Sequence, residues 1–213
     1  MDIDWPVLSD EVIEQKAELF RNAALDKLQI KQTTPVPIEQ IAELYLGYDF
    51  EFVEDGTQLP ADVIGGIDFD SNTIIINASI EDHIGRYNFT IAHEIGHHEL
   101  HRKLFLEKSS ELRIMCRGGI KRPIEELQAD RFAEALLMPE DLITKCFKGM
   151  KDYKVNSKRS RRGLASRMIQ SSGLSNVSVS AMEMRLIHLG LIPTLSDSSR
   201  LIPGFLLKLL KLN

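Results

Sequence analysis

Two short apolar runs, Gly65–Phe69 and Thr73–Asn77, flank the polar triplet Asp70-Ser71-Asn72. No other feature narrows the fold as much, because β-branched residues on either side of a short polar turn predict a β-hairpin. Most of the remaining sequence repeats at helical spacing. Val12, Ile13, Ala17, Phe20, Ala24 and Leu28 predict an amphipathic helix over 10–30, with Ser9 as its N-cap. The breaker Thr33-Thr34-Pro35-Val36-Pro37 leads into a second helix, Ile38–Leu46, which Gly47 ends. Tyr48–Val53 alternates as a strand does, and 82–104 and 124–137 read as longer helices. Residues 107–123 read as a loop, and 164–189 as two short helices around a Ser/Gly/Asn turn. One small sheet set among helices predicts the α+β class.

At 213 residues the chain fits one domain with an appendage. With 43% hydrophobic and 27% charged residues it is too balanced to be disordered, and a net charge of −5 does not suggest a nucleic-acid wrapper. Two cysteines, Cys116 and Cys146, make no disulfide framework. The acidic start Met-Asp-Ile-Asp-Trp-Pro lacks the pattern of a secretory signal, so a cytoplasmic protein with reduced thiols is expected. The apolar tail Leu201–Leu212 is too short and interrupted to cross a bilayer. It reads as a helix docked on the protein or on a second copy, with a membrane-surface helix at Phe205–Leu212 as the competing reading.

Chemistry concentrates at His93-Glu-Ile-Gly-His97. On a helix, i and i+4 are separated by about 6 Å along the axis and ~40° around it, so His93 and His97 can share one divalent ion. Glu94 lies at the edge of that face, beside the ion without ligating it. There it can take a proton from a metal-activated water. Gly96 costs ~1 kcal/mol relative to Ala inside a helix, which predicts close approach of another backbone. A third protein ligand is needed, and His98, Glu99, His101, Glu125 and Glu126 are the nearby candidates. His98 and Glu99 point away from the 93/97 face. His101 reads as a group behind the ligands or on the surface. Glu126 and Asp130 share a face of the next helix, so Glu126 can reach the metal while Asp130 accepts the other ring N–H of a histidine. Small Ala129 and Ala133 let the two helices pack closely. The competing reading has Glu125 and Glu126 only favouring a helix N-terminus.

At these residues the chain resembles the ImmA/IrrE family of HExxH metallopeptidases. The matching stretches are Pro35–Ala42, Ile74–Asn77, Arg86–His97, Glu126–Pro139 and Val179–Leu191. The resemblance implies a zincin-like, thermolysin-related core with a small sheet packed on helices and a C-terminal helical region. It implies His93, His97 and Glu126 as metal ligands, Glu94 as catalytic acid/base and Asp130 as the partner behind a ligand. Zn2+ suits that donor set, and Mn2+ or Fe2+ fits it as well. It further implies a metal-dependent endopeptidase whose protein substrate is a helix-turn-helix transcriptional repressor. The expected organisation is a catalytic domain over 1–147, a basic linker or loop over 148–163, and a helical region over 164–213 that recognises substrate.

The basic stretch and the 193–213 tail depart from the family pattern. Lys148, Lys151, Lys154, Lys158, Arg159, Arg161 and Arg162 stand against one acid, Asp152. They supply the alternative reading: a non-catalytic regulator that binds a repressor or DNA, with a structural or vestigial metal site. Tyr87, Arg117 and His188 are the candidates to stabilise an oxyanion, and the edge of Thr73–Asn77 is a candidate strand for an extended substrate.

Overall fold

A computed structural model describes residues 3–31, 34–54, 57, 59, 63–108, 114–116, 123–150, 155 and 157–194, with side chains undescribed at 114–116. The Cys116 thiol, Arg117, Lys151, Lys154 and the apolar tail therefore lie outside the described residues. Two compact units emerge, Met1–Leu137 and Met138–Asn213. The first closes ten residues before the expected end of the catalytic domain.

In the first unit, helix α1 (Asp10–Lys27) starts where the Ser9 Oγ accepts a hydrogen bond from the Val12 amide, 3.4 Å away. Asp10 and Glu11 in its first turn and Lys27 in its last complement the helix dipole. Its inner face buries Ile13, Ala17, Phe20, Ala24 and Leu25. Helix α2 (Ile38–Gln40) runs on as a π-helical turn, Ile41–Leu46, and ends at Gly47 with φ 77°, a left-handed backbone that suits glycine.

Strands β1 (Asp49–Val53), β2 (Gly65–Asp68), β3 (Thr73–Asn77) and β4 (Ile114–Cys116) form one sheet in the order β1-β3-β2-β4. β3 pairs with β1 in parallel and with β2 antiparallel, and β4 runs antiparallel to β2. Two expectations change here. Thr73–Asn77 is an interior strand, so its edge cannot take a substrate strand. Ile74, Ile75 and Ile76 are buried in succession, as a strand covered on both faces requires. The stretch read as a loop over 107–123 holds β4, whose three residues are too few to show a period.

The predicted helix over 82–104 divides into α3 (Ile84–Leu100) and α4 (Arg102–Lys108), because His101 leaves helical geometry at φ −122°, ψ −27°. Helix α5 (Ile124–Leu137) lies against α3 and α1. A side-chain carbon at Gly96 would stand 3.1 Å from both the Ala129 Cα and its carbonyl oxygen. Phe20 of α1 meets Phe132 of α5 edge-on at 5.9 Å.

The second unit contains α6 (Glu140–Gly149), α7 (Lys158–Ser172) and α8 (Val179–His188). α7 begins inside the expected linker: Ser157 and Ser160 close a reciprocal capping box there. Arg161, one of the positive charges of the basic stretch, is buried, donates to the Pro193 carbonyl and faces Glu183 at 4.0 Å. An arginine whose stem fills an inward position hides the apolar period that would have marked the helix. Lys158, Arg159 and Arg162 stay exposed. Among the described residues no helix is long and apolar enough to cross a membrane.

Candidate metal centre

α3 carries His93 and His97 one turn apart, and both are fully buried at its crossing with α5. Their Nε2 atoms stand 3.0 Å apart. α5 brings Glu126 to the same point, its Oε2 3.4 Å from His93 Nε2 and its Oε1 3.3 Å from His97 Nε2. Tetrahedral ligands ~2.0–2.1 Å from an ion lie about 3.3–3.4 Å from one another, so the three donors have the spacing of one coordination sphere. His93, His97 and Glu126 are a group able to hold a metal, with ligand atoms within 4.8 Å of each other.

The protonation pattern fits a cation. Asp130 sits four residues beyond Glu126 on α5, and its Oδ1 lies 2.9 Å from His93 Nδ1. A carboxylate there draws the ring proton to Nδ1 and leaves Nε2 with its lone pair toward the centre. Burial pushes the His97 imidazole down from its ordinary value, against the pull of Glu126, which favours the neutral ring that binds metal. Burial alone would raise the Glu126 carboxyl. A proton on either imidazole facing it outweighs that and holds it well below the ordinary carboxylate range, so this carboxylate stays charged beside whatever cation occupies the centre. Converging electron-pair donors at this distance repel unless a cation, proton or metal ion, lies among them.

Glu94 is fully buried next to His93. Its carboxylate is accommodated by Gly65 on β2: a Cβ there would lie 3.1 Å from Glu94 Oε1 and 2.3 Å from Thr90 Cγ2. Gly65 is a site residue that sequence reasoning misses, although a glycine opening a strand often marks a close approach.

The remaining candidates separate. His98 turns away from the centre and shares a hydrogen bond with the Tyr48 hydroxyl, 2.8 Å from its Nδ1. His101 is buried behind His97, its Nδ1 3.1 Å from His97 Nδ1. Its Nε2 meets Gln128 Oε1 at 3.0 Å, and the Gln128 amide donates to the Pro6 carbonyl at 2.8 Å. Nothing in the sequence pattern singles out Gln128 or Pro6. Tyr87 donates its hydroxyl to Glu39 and stacks on Phe52. His188 ends α8, in the second unit.

A family model described as the IrrE N-terminal-like domain, peptidase family M78, matches residues 55–186, more than half of the chain. The match spans the hairpin, α3, α5 and the helices through most of α8. The resembling stretch Pro35–Ala42 precedes it. No curated protein matches the chain.

Proposed function

This chain belongs to the IrrE N-terminal-like peptidase family, and from that premise we propose that it is a metal-dependent endopeptidase cleaving a helix-turn-helix repressor. The observation that carries the reading is the convergence of His93, His97 and Glu126 from two helices, with buried Glu94 adjacent. His93, His97 and Glu126 hold the ion, zinc by donor chemistry, with manganese or iron as alternatives. Bound there, a divalent ion supplies Lewis acidity toward a peptide carbonyl and lowers the pKa of water.

The chain's own groups do the rest. Asp130 keeps His93 in the ligating tautomer and in place. Glu94 takes the proton of the attacking water and returns it to the departing amine, so one carboxylate serves both halves of the hydrolysis. His93, His97 and Glu94 are buried, and removal from bulk water strengthens the charge interactions they make.

The decisive comparison uses wild type and Glu94→Gln with helix-turn-helix repressors from neighbouring reading frames as substrates. Glu94→Gln should bind metal normally and lose cleavage by at least about 100-fold. Wild type should lose cleavage on chelation and regain it with added Zn2+. Undiminished cleavage by metal-loaded Glu94→Gln would overturn the catalytic assignment. The exposed Lys158, Arg159 and Arg162 at the start of α7 favour a second reading, a regulator that contacts DNA or a DNA-bound repressor. In that case a metal-free sample should bind DNA, with affinity falling steeply as salt rises.

A further inference from the structure

Behind His97, on the side away from the metal centre, stand two more buried polar side chains, His101 and Gln128. We propose that His101, Gln128 and the Pro6 carbonyl form a relay that sets the ligating tautomer of His97, making the N-terminal segment a working part of the metal centre. The inference rests on the metal-site reading above and goes beyond it, because it assigns positioning roles to residues outside the ligand set.

The relay can be read atom by atom from its far end. A proline carbonyl only accepts, so the Gln128 atom 2.8 Å from Pro6 O is the amide nitrogen. That fixes the orientation of the Gln128 amide, a choice otherwise ambiguous for this side chain. Its oxygen then faces His101 Nε2 at 3.0 Å and can only accept, so Nε2 carries the proton. A neutral imidazole has one ring proton, which leaves His101 Nδ1 bare. Opposite it at 3.1 Å is His97 Nδ1, which must donate. His97 Nε2 is consequently a lone pair, and it points at His93 Nε2 and Glu126.

The two ligand histidines are thus oriented by different devices. His93 leans on a charged acceptor, Asp130, whereas His97 leans on an uncharged chain that ends at the backbone. Trp5 holds the middle of that chain by packing edge-on to the His101 ring, centroids 5.0 Å apart at 72°. Trp5 and Pro6 precede the family match at 55–186, so the far end of the relay comes from outside the matched domain. The departure of His101 from helical geometry between α3 and α4 belongs to the same arrangement.

Trp5 is the only tryptophan in the chain, so its fluorescence reports on this one location. The test titrates Zn2+ into chelator-stripped full-length protein, reading affinity by competition with a chromophoric chelator and Trp5 emission in parallel. Wild type should bind Zn2+ with a change in emission. His101→Phe keeps a ring against Trp5 but offers His97 no acceptor, and should bind about 10–100-fold more weakly. Gln128→Leu should weaken binding in the same direction. His101→Gln restores a carbonyl acceptor for the His97 N–H and should recover most of the affinity.

A purely structural role would lower the melting temperature without changing the Zn2+ affinity of folded protein, and His101→Gln would not rescue it. Folded His101→Phe or Gln128→Leu binding Zn2+ as tightly as wild type would overturn the relay while leaving the metal site standing. Wild type that binds no Zn2+, Mn2+ or Fe2+ would overturn the metal-site reading and the relay with it.

Discussion

At Gly65 the strand β2 comes so close to α3 that a single methyl group would collide with it. A methyl carbon there would stand 2.3 Å from Thr90 Cγ2, far inside van der Waals contact, and 3.1 Å from Glu94 Oε1. Both neighbours are fully buried and have little room to retreat. Gly65→Ala should therefore destabilise the protein by about 1–3 kcal/mol, measured by urea unfolding. It should also reduce cleavage more than it reduces Zn2+ affinity, because it presses on the Glu94 carboxylate and not on the ligands. Equal stability and activity in Gly65→Ala would show that the sheet yields easily at this point. Such a residue is hard to find in a sequence, since Thr90 and Glu94 lie 25 or more positions away. His93, Glu94 and His97 are legible because their relation is local, one helical turn repeating on itself.

Between elements, the separation of α3 and α5 controls whether a carboxylate on one helix meets imidazoles on the other. A methyl carbon added at Gly96 would stand 3.1 Å from the Ala129 Cα and from the Ala129 carbonyl oxygen, both backbone atoms that cannot swing aside. Gly96→Ala gains about 1 kcal/mol of helix propensity. Overpacking at a backbone contact costs about 1–3 kcal/mol, so the net effect should be a loss. It should also weaken Zn2+ binding by moving Glu126 away from the histidines. Gly149 is the control: it too lies in a helix, α6, and nothing is within 4 Å of its added carbon. Gly149→Ala should be neutral or stabilising by up to about 1 kcal/mol in thermal melts. Matching effects at the two glycines would rule out close helix approach as the reason for Gly96. The expectation at Gly96 could be formed from sequence because a costly glycine in a helix asks for a cause. β3 could not be placed so well, because an apolar run looks the same at an edge or in the interior.

For the molecule as a whole, burial of imidazoles ties stability to pH. Burial holds His98 down to about 4, with Arg102 adding to the effect, and holds His101 down to about 4, with His97 adding. In the unfolded chain both titrate near 6.5. The unfolded state thus binds more protons between those values. In metal-free protein the stabilisation is complete above pH ~6.5 and is lost as the pH falls toward about 4, on the order of 2–3 kcal/mol per imidazole. Urea unfolding at pH 7, 6, 5 and 4.5 should trace that decline. His98→Asn should make it shallower, since it removes one of the two depressed imidazoles and leaves the three proposed ligands in place. A His98→Asn profile with the wild-type slope would assign the acid sensitivity to other groups.

From its residue order alone the chain declares an α+β fold, a helix bearing two imidazoles at a metal-binding interval and a second helix bearing two acids on one face. All of these are periodic features, set by backbone geometry over one or two turns. The packed chain adds what periodicity cannot encode: β3 in the sheet interior, β4 on β2, Gly65 beneath Glu94, and a hydrogen-bonded path from His97 to Pro6. Each of these depends on groups far apart in sequence, and their meeting in space leaves no repeating trace along the chain.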